Sequence, residues 1–349
     1  MIPDDLDARI RQILTSTGMI LGGIILVGTS CVADVDCAYG DPSCDDAGVM
    51  AVIAGLRPPL FLVGTGNGTI YASTDNGSEW EAMQLSDSGF LVQGFGEANG
   101  NIFAFGSDSG GMPAFYVMQR TGQWSGPYSV PLSSELTYGS GNGSSVYTIG
   151  ADFQIVSLLP DGNYQFINTP TMVGPTTMLQ NAGAYWFLGD NAGSADRVRY
   201  SLDGGSWTQA TPGITDEPIR DVALLGTTYI VVGQGAATTF YTISGSLANW
   251  TNGTGIPASS NVCISGDVAV AGTDAGDVHR TADGITYNAA VNIGLSGNLE
   301  GLACNGTTIV AIPQIAGSWS ISRDAGATWT SLTDPTGAGH TPLSIEYFP

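Results

Sequence analysis

The sequence of 349 residues contains no lysine: all nine basic residues are arginine, against 31 acidic residues, for a net charge of −22. Charged residues make up only 11% of the chain, well below the roughly 25% of an average globular protein. No basic face can therefore form to neutralise phosphates, which excludes nucleic-acid binding as a function class. Attraction to an anionic membrane surface is disfavoured for the same reason.

Residues that commonly carry catalysis are also scarce. The two histidines are His279 and His340, and the sequence has no H-E-x-x-H zinc motif, no nucleophile elbow and no phosphate-binding loop. A Ser-His-Asp arrangement requires one of these histidines to lie near a binding cavity. We predict no cofactor and no metal ion. We interpret the acidic stretch over 34–46 as a solvated tether, because its spacing is not that of an EF-hand.

Glycine and apolar residues are abundant instead. The chain has 50 glycines and is 43% hydrophobic, with 7 Trp, 13 Tyr and 11 Phe. Such a chain has enough apolar surface to bury a large core, which argues against disorder. The composition favours a folded protein with many turns.

The N-terminal segment is typical of an export signal. Residues 13–29 are uncharged and mostly apolar, follow Arg9 and Arg11, and lead into small residues before Cys31. This pattern resembles a bacterial lipoprotein signal peptide, which implies cleavage of residues 1–30 and lipidation of Cys31. An uncleaved signal anchor and a buried helix of a cytoplasmic domain are the alternatives. The first two interpretations predict an extracytoplasmic, membrane-anchored protein at the periplasm or cell surface of a bacterium.

The tether over 31–58 contains two further cysteines. Cys37 and Cys44 bracket a six-residue segment, and in an oxidising compartment they are candidates for a disulfide. A metal site is the alternative, but neither histidine is close in sequence to complete it.

Beyond residue 58 the chain repeats. Seven aromatic residues recur at intervals of 37 to 44 residues: Trp80, Trp124, Tyr164, Trp207, Trp250, Tyr287 and Trp329. The motif Ser/Thr-x-Asp-x-Gly, or a close variant of it, precedes four of these aromatic residues. Its four copies are formed by Ser73, Asp75 and Gly77; Ser201, Asp203 and Gly205; Thr281, Asp283 and Gly284; and Ser322, Asp324 and Gly326. Each unit is predicted to hold four short antiparallel strands, which is the size of a propeller blade. In the turn, the Asp carboxylate is expected to accept backbone N–H groups while Gly supplies a positive φ.

The two ends of the repeat region complement each other. The first unit begins at its second strand, and residues 341–349 read as an isolated first strand. We therefore predict an all-β, seven-bladed propeller over 59–349, in which the C-terminal strand completes the first blade and removes an open edge.

The repeat motif resembles the Asp-box, or bacterial neuraminidase repeat. Seven blades behind a lipoprotein-like signal are similar to the photosystem II assembly/stability factor family and its non-photosynthetic bacterial relatives. That resemblance implies a non-enzymatic protein-binding or assembly module, with an arginine-rich patch in that family. Within the repeat region this chain offers Arg120, Arg197, Arg199, Arg220, Arg280 and Arg323.

Cys263 and Cys304 occupy matching positions on the first strands of neighbouring blades. First strands line the central channel, where a disulfide between the two requires Cα atoms within about 7 Å. Two buried free thiols are the alternative.

Three functions remain open on the sequence. The first is a membrane-anchored module that binds a protein or glycan partner on a propeller face, with Tyr128, Tyr138 and Trp186 as candidate contact residues. The second is a structural subunit of a larger membrane or surface complex that retains its N-terminal helix. The third is a sialidase-like glycoside hydrolase using paired carboxylates, although the Arg-Ile-Pro segment of sialidases is absent from the sequence.

Overall fold

A computed structural model describes most of residues 59–349. The gaps are residues 120–121, 151–152, 168–169, 171–175, 191–197, 211–217, 234–238, 244–246, 248–249, 255–257, 296–297 and 338–339. The chain divides into two units, Met1–Pro58 and Pro59–Pro349, and all of the described residues belong to the second.

The described residues form 28 strands. In chain order these are β1 (Leu60–Thr65), β2 (Thr69–Ser73), β3 (Glu81–Gln84), β4 (Leu91–Ala98), β5 (Asn101–Ser107), β6 (Pro113–Met118), β7 (Trp124–Ser129), β8 (Leu136–Gly141), β9 (Val146–Gly150), β10 (Ile155–Leu158), β11 (Tyr164–Ile167), β12 (Thr176–Ala182), β13 (Tyr185–Asp190), β14 (Val198–Ser201), β15 (Thr208–Gln209), β16 (Ile219–Leu225), β17 (Thr228–Gly233), β18 (Thr239–Ile243), β19 (Thr251–Asn252), β20 (Ser259–Ser265), β21 (Val268–Thr273), β22 (Asp277–Thr281), β23 (Val291–Asn292), β24 (Leu299–Asn305), β25 (Thr308–Pro313), β26 (Trp319–Ser322), β27 (Thr330–Leu332) and β28 (Pro342–Phe348).

In the described part of the chain these strands make seven four-stranded antiparallel sheets. Blade 1 has the order β28-β1-β2-β3, and blades 2 to 7 each take four consecutive strands, from β4–β7 to β24–β27. The innermost strands contact one another in a closed ring that runs β28, β4, β8, β12, β16, β20, β24 and back to β28. The predicted all-β propeller of four-stranded antiparallel blades is confirmed.

The C-terminal strand completes blade 1, as the sequence predicts. β28 pairs antiparallel with β1, with Phe61 opposite Tyr347 and Val63 opposite Ile345. Without β28, the backbone N–H and C=O groups along one side of β1 would lack strand partners. The pairing therefore joins the start of the domain to its end.

The hydrophobic core lies between the blades. Second strands such as β1 and β25 are buried along their whole length, because both faces of these sheets are covered by neighbouring blades. Fourth strands such as β3 and β27 are short and mostly exposed. Burial thus rises from the fourth strands at the rim to the second strands, whereas innermost strands such as β20, β24 and β28 are only partly buried.

Candidate functional site

The innermost strands surround a cavity of about 620 Å³ at the centre of the ring. Side chains from β4, β8, β12, β16, β20, β24 and β28 line it, so every blade contributes. Concave sites of this size, built by several elements, are where proteins usually bind ligands. This cavity is the candidate functional site.

Each innermost strand carries a bulge near its N-terminal end, where one residue is skipped in the pairing with the second strand. The seven bulged residues are Gln93, Thr137, Thr177, Arg220, Ser260, Glu300 and Leu343. A bulge redirects the side chain of the extra residue. All seven line the cavity, so together they form a ring of side chains, here called the bulge ring.

The bulge ring is uncharged except at two positions. Arg220 on β16 and Glu300 on β24 lie two blades apart, with Ser260 of blade 6 between them. Burial raises the pKa of the Glu300 carboxyl to about 7, while the Arg220 guanidinium acts in the opposite direction. The two charges therefore interact electrostatically across the cavity.

Three further residues with carboxyl groups, Asp221, Asp274 and Glu346, line the cavity beside the ring. Asp221 accepts hydrogen bonds from the backbone N–H of Val222 at 2.7 Å and of Val262 at 2.9 Å. Burial nevertheless raises the pKa of Asp221 to about 7. Burial also raises the pKa of Glu346 on β28, to about 8, and the negative charge of Asp221 adds to that rise. Both groups thus titrate near neutral pH.

A disulfide joins blades 6 and 7 inside the channel. Cys263 on β20 and Cys304 on β24 are bonded, with their Cα atoms 5.8 Å apart. Both residues line the cavity. Equivalent positions on these two neighbouring innermost strands are thus close enough for a disulfide. The repeat spacing in the sequence had left that question open.

Neither histidine lines the cavity. His279 lies on β22, buried, with its Nδ1 atom 2.9 Å from the carbonyl oxygen of Asn288. His340 precedes β28, where its Nε2 atom is 2.9 Å from the Asn67 amide nitrogen and its Nδ1 atom is 3.3 Å from the Tyr71 hydroxyl. Among the described residues, the channel therefore has no Ser-His-Asp arrangement.

The four Asp-containing turns connect third and fourth strands and have the predicted chemistry. Asp75 accepts the backbone N–H groups of Ser78 at 3.0 Å and Glu79 at 2.9 Å, and the Ser73 hydroxyl donates to it at 2.8 Å. Equivalent N–H bonds reach Asp203, Asp283 and Asp324. The pKa of Asp203 and of Asp324 falls to about 2, mainly because Ser206 N–H and the Thr328 side chain, respectively, donate to the ionised form.

One glycine assignment in these turns was wrong. Gly77 and Gly326 have positive φ as predicted, but in the Asp203 turn Gly204 has the positive φ (73°), not Gly205. This turn is one residue shorter between Asp and aromatic, so its Ser201 hydroxyl accepts from Gly204. The Asp283 turn has the same short form, with Gly284 at φ 75°.

The three aromatic residues predicted to contact a partner, Tyr128, Tyr138 and Trp186, lie in three different environments. Trp186 is 1% exposed, and its ring packs at a tilt against the Tyr147 ring of the preceding blade, with the ring centroids 4.5 Å apart. Its assignment as a partner contact was therefore wrong. Half-buried Tyr128 packs 5.4 Å from Phe115. Tyr138 lines the central cavity and is the one of the three that a ligand there would reach.

Several predictions lie outside the described residues. They concern Cys31, Cys37, Cys44 and the apolar segment 13–29, which stay predictions. In the part of the chain that the structure describes, no helix is long and apolar enough to span a membrane. The same residues contain no group of three or more His, Cys, Asp or Glu side chains placed to hold a metal ion.

The sequence did not single out the charged residues of the channel. A signal exists in the repeat register, since Arg220, Ser260 and Glu300 recur at 40-residue intervals. The bulge itself cannot be recognised from the sequence, because which residue of the innermost strand is skipped depends on how that strand pairs with the second strand.

Comparison with known proteins supports the fold alone. No family model matches the chain, and no curated protein matches it by sequence. Among solved structures, YCF48 bound to a D1 peptide superposes with a TM-score of 0.57 at 15% identity, over 74% of this chain and 87% of that one. Virginiamycin B lyase from Staphylococcus aureus gives 0.58 at 13% identity, over 76% and 88%. A catalytically inactive histidine-to-alanine form of that lyase, with quinupristin, gives 0.59 at 11% identity, over 76% and 94%.

Proposed function

We propose that this protein is a non-enzymatic binding module that receives a segment of a partner protein at the bulge ring. The observation that carries the proposal is the bulge ring itself: seven blades each turn one side chain towards a single cavity of about 620 Å³. Bulges of this kind re-aim side chains next to functional sites. YCF48, a structural neighbour bound to a D1 peptide, is an instance of a propeller with a peptide partner.

The proposal includes a location. Lipidation of Cys31, or the apolar segment 13–29 retained as a helix, would hold the propeller outside the cytoplasm at a membrane. Mass spectrometry of the mature N-terminus tests this. A diacylglyceryl group on Cys31 supports the lipoprotein, an intact Met1 supports an anchored subunit of a larger complex, and a cytoplasmic chain without lipid contradicts both.

A peptide-display selection against the full-length protein tests the binding role. Enriched peptides should bind the wild type and lose affinity at least tenfold when Ser260→Trp fills the ring. The same change at exposed Ser331 on β27 should leave binding unchanged. If no peptide binds, or if both variants bind equally well, the bulge ring is not the site.

An enzyme is the second candidate, and a specific observation favours it. Carboxyl groups with raised pKa values in a cavity, here Asp221 and Glu346, are the groups that glycosidases and other acid–base enzymes use. The lyase neighbours show that this architecture supports catalysis in another protein. A screen of glycosides with turnover that Glu346→Gln abolishes would establish this function instead.

A further inference from the structure

The outermost strands of the blades, β3, β7, β11, β15, β19, β23 and β27, each have one side without a strand partner in the described chain. Such edges are open to pairing with another extended chain, and proteins usually protect them by shortness, charge, proline or irregular pairing. β15, β19 and β23 are two residues long, and β27 is three. β3 carries Glu81, and β7 carries Pro127 and a register shift. Six of the seven edges are thus protected.

β11 has none of these protections. Its sequence, YQFI, contains no charged residue and no proline, and it pairs with β10 over four residues without a register shift. Its residues are exposed or half-buried along the whole strand. Among the outermost strands that the structure describes, β11 is therefore the unprotected edge.

The backbone of β11 points alternately to β10 and to the open edge. In the turn that precedes β11, the Leu159 N–H donates to the Asn163 carbonyl at 2.9 Å, so the Asn163 carbonyl faces β10. Backbone groups of successive residues in an antiparallel strand point in opposite directions. The N–H and C=O groups of Tyr164 and Phe166 therefore point to the open edge. They are the donors and acceptors that an added strand requires.

Phe166 makes this edge apolar. Its side chain is 46% exposed. The other large apolar residues exposed in the described chain lie between strands: Met112, Leu202, Ile285 and Ile315. The Phe166 ring lies edge-on to the Tyr164 ring with the centroids 5.5 Å apart, since side chains two residues apart share a face of a strand. A strand added at β11 would therefore find an aromatic side chain to pack against.

Blade 2 extends this surface. Tyr164 and Tyr128 of β7 are half-buried and pack against one apolar cluster formed by blades 2 and 3. Tyr128 also lies against the turn that precedes β11, because a Cβ atom at Gly162 would overlap its ring. Tyr128, Tyr164 and Phe166, together with the open edge of β11, are here called the rim patch. It contains no charged side chain.

The size and charge of the protein decide which chain fits the rim patch. A second copy is a poor occupant, because each copy carries a net charge of −22 and a four-residue edge buries far less than the roughly 1,200 Å² of a stable protein interface. A single extended segment can bind to a short edge, since its main-chain hydrogen bonds supply affinity and its alternate side chains supply specificity. Exposed Asp161, in the turn before β11, and the net charge both repel an acidic segment.

We propose that the rim patch binds an extended segment of a partner polypeptide, which joins blade 3 as a fifth strand through the backbone groups of Tyr164 and Phe166. The segment has apolar side chains at alternate positions, which pack on Phe166, and a net positive charge. The inference goes beyond the proposed function, because no residue of the rim patch lines the central cavity.

The test uses the full-length protein and a labelled heptapeptide with blocked ends, Lys-Thr-Val-Thr-Phe-Thr-Lys, with binding followed by fluorescence anisotropy at pH 7 and low salt. Its counterpart with glutamate in place of both lysines should bind at least tenfold more weakly. Two further peptides carry one backbone N-methyl group, at the phenylalanine or at the central threonine. Alternate N–H groups of an added strand face the edge, so one of the two should lose at least tenfold in affinity and the other less than threefold.

Protein variants locate the binding site. Phe166→Lys should weaken binding at least fivefold, because it places a charge on the edge and removes the aromatic ring. Leu202→Lys is the matched control, since Leu202 is exposed on blade 4 and the change in net charge is the same. In the wild type, the bound peptide should slow hydrogen exchange at the amides of Tyr164 and Phe166, a readout that requires no variant.

Equal binding of the two N-methylated peptides, of the acidic peptide, or by Phe166→Lys overturns the inference. A dimer of the free protein that Phe166→Lys dissociates also overturns it, because the edge then pairs with a second copy. Failure of the proposed function is a separate result. If the heptapeptide is lost in Ser260→Trp and retained in Phe166→Lys, it binds at the bulge ring and only the rim inference fails. If it depends on Phe166 while no selected peptide is sensitive to Ser260→Trp, only the proposed function fails.

Discussion

The Asp221 carboxylate joins two blades: its Oδ2 atom accepts a hydrogen bond of 2.9 Å from the backbone N–H of Val262 on the neighbouring innermost strand. Its other oxygen accepts from Val222 at 2.7 Å, within its own strand. One side chain on the channel wall therefore both holds blade 5 to blade 6 and contributes charge to the cavity.

We expect the free energy of unfolding to fall as pH rises between about 5 and 8. Burial raises the pKa of Glu346 to about 8, so over this range the folded chain keeps a proton that the unfolded chain has lost, and folding is disfavoured. The raised pKa values of Asp221 and Glu300, both about 7, act in the same direction. Glu346→Gln should be more stable than the wild type by about 2 kcal/mol at pH 9 and nearly equal at pH 5.

Urea unfolding at a series of pH values measures this effect. Glu81→Gln, at an exposed position on β3, is the matched control and should follow the wild-type curve. Parallel curves for wild type and Glu346→Gln would show that this carboxyl is not held protonated by the fold.

The disulfide between Cys263 and Cys304 should stabilise the propeller by constraining the unfolded chain. It closes a loop over a sequence separation of 41 residues, for which chain entropy predicts about 4 kcal/mol. The double variant Cys263→Ser/Cys304→Ser should therefore unfold at a lower denaturant concentration, and reduction should shift the wild type towards it. A wild-type chain in which both thiols react with an alkylating agent before reduction would contradict the bridge.

Gly141 is required by a close approach between blades 2 and 3. A Cβ atom at this position would lie 2.2 Å from the backbone nitrogen and 2.3 Å from the backbone oxygen of Glu97 on β4. Because the neighbour is backbone, Gly141→Ala should cost about 2–3 kcal/mol in thermal or chemical unfolding. Gly66→Ala is the control, since its nearest side-chain atoms would be at 3.6 and 3.7 Å, and it should be neutral or slightly stabilising.

The Asp324 turn should contribute stability that is lost in acid. Hydrogen bonds from Thr328 lower the pKa of Asp324 to about 2, so its contribution is complete above the unfolded pKa of 3.8 and disappears as pH falls towards 2. Asp324→Ala should cost about 1 kcal/mol at pH 7 and little at pH 2. Asp267→Ala, at an exposed position in the β20–β21 turn, should change stability by less than about 0.5 kcal/mol at either pH.

Much of the architecture was predictable because it repeats. The spacing of Trp80, Trp207 and Trp329 marks the blades, since each blade is a local unit whose strands and turns follow in chain order. The Asp75 turn could be predicted in atomic detail because its donors lie within four residues of the carboxylate. Trp186 was misplaced because nothing in a single blade reveals which face the next blade covers.

Sequence alone determined the propeller of four-stranded blades, the closure by residues 342–348, the Asp-turn chemistry and the scarcity of positive charge, because these are local or compositional properties. Tertiary structure alone decided which residues meet in the channel. The bulge ring arises from register shifts between strands. The Cys263–Cys304 bond is possible because the Cα atoms of these residues, on two neighbouring blades, lie 5.8 Å apart. The pKa of Glu346 is raised because the fold buries this residue and because the negative charge of Asp221 acts on it. Each depends on residues far apart in the chain, and closing the ring brings them within a few ångströms of one another.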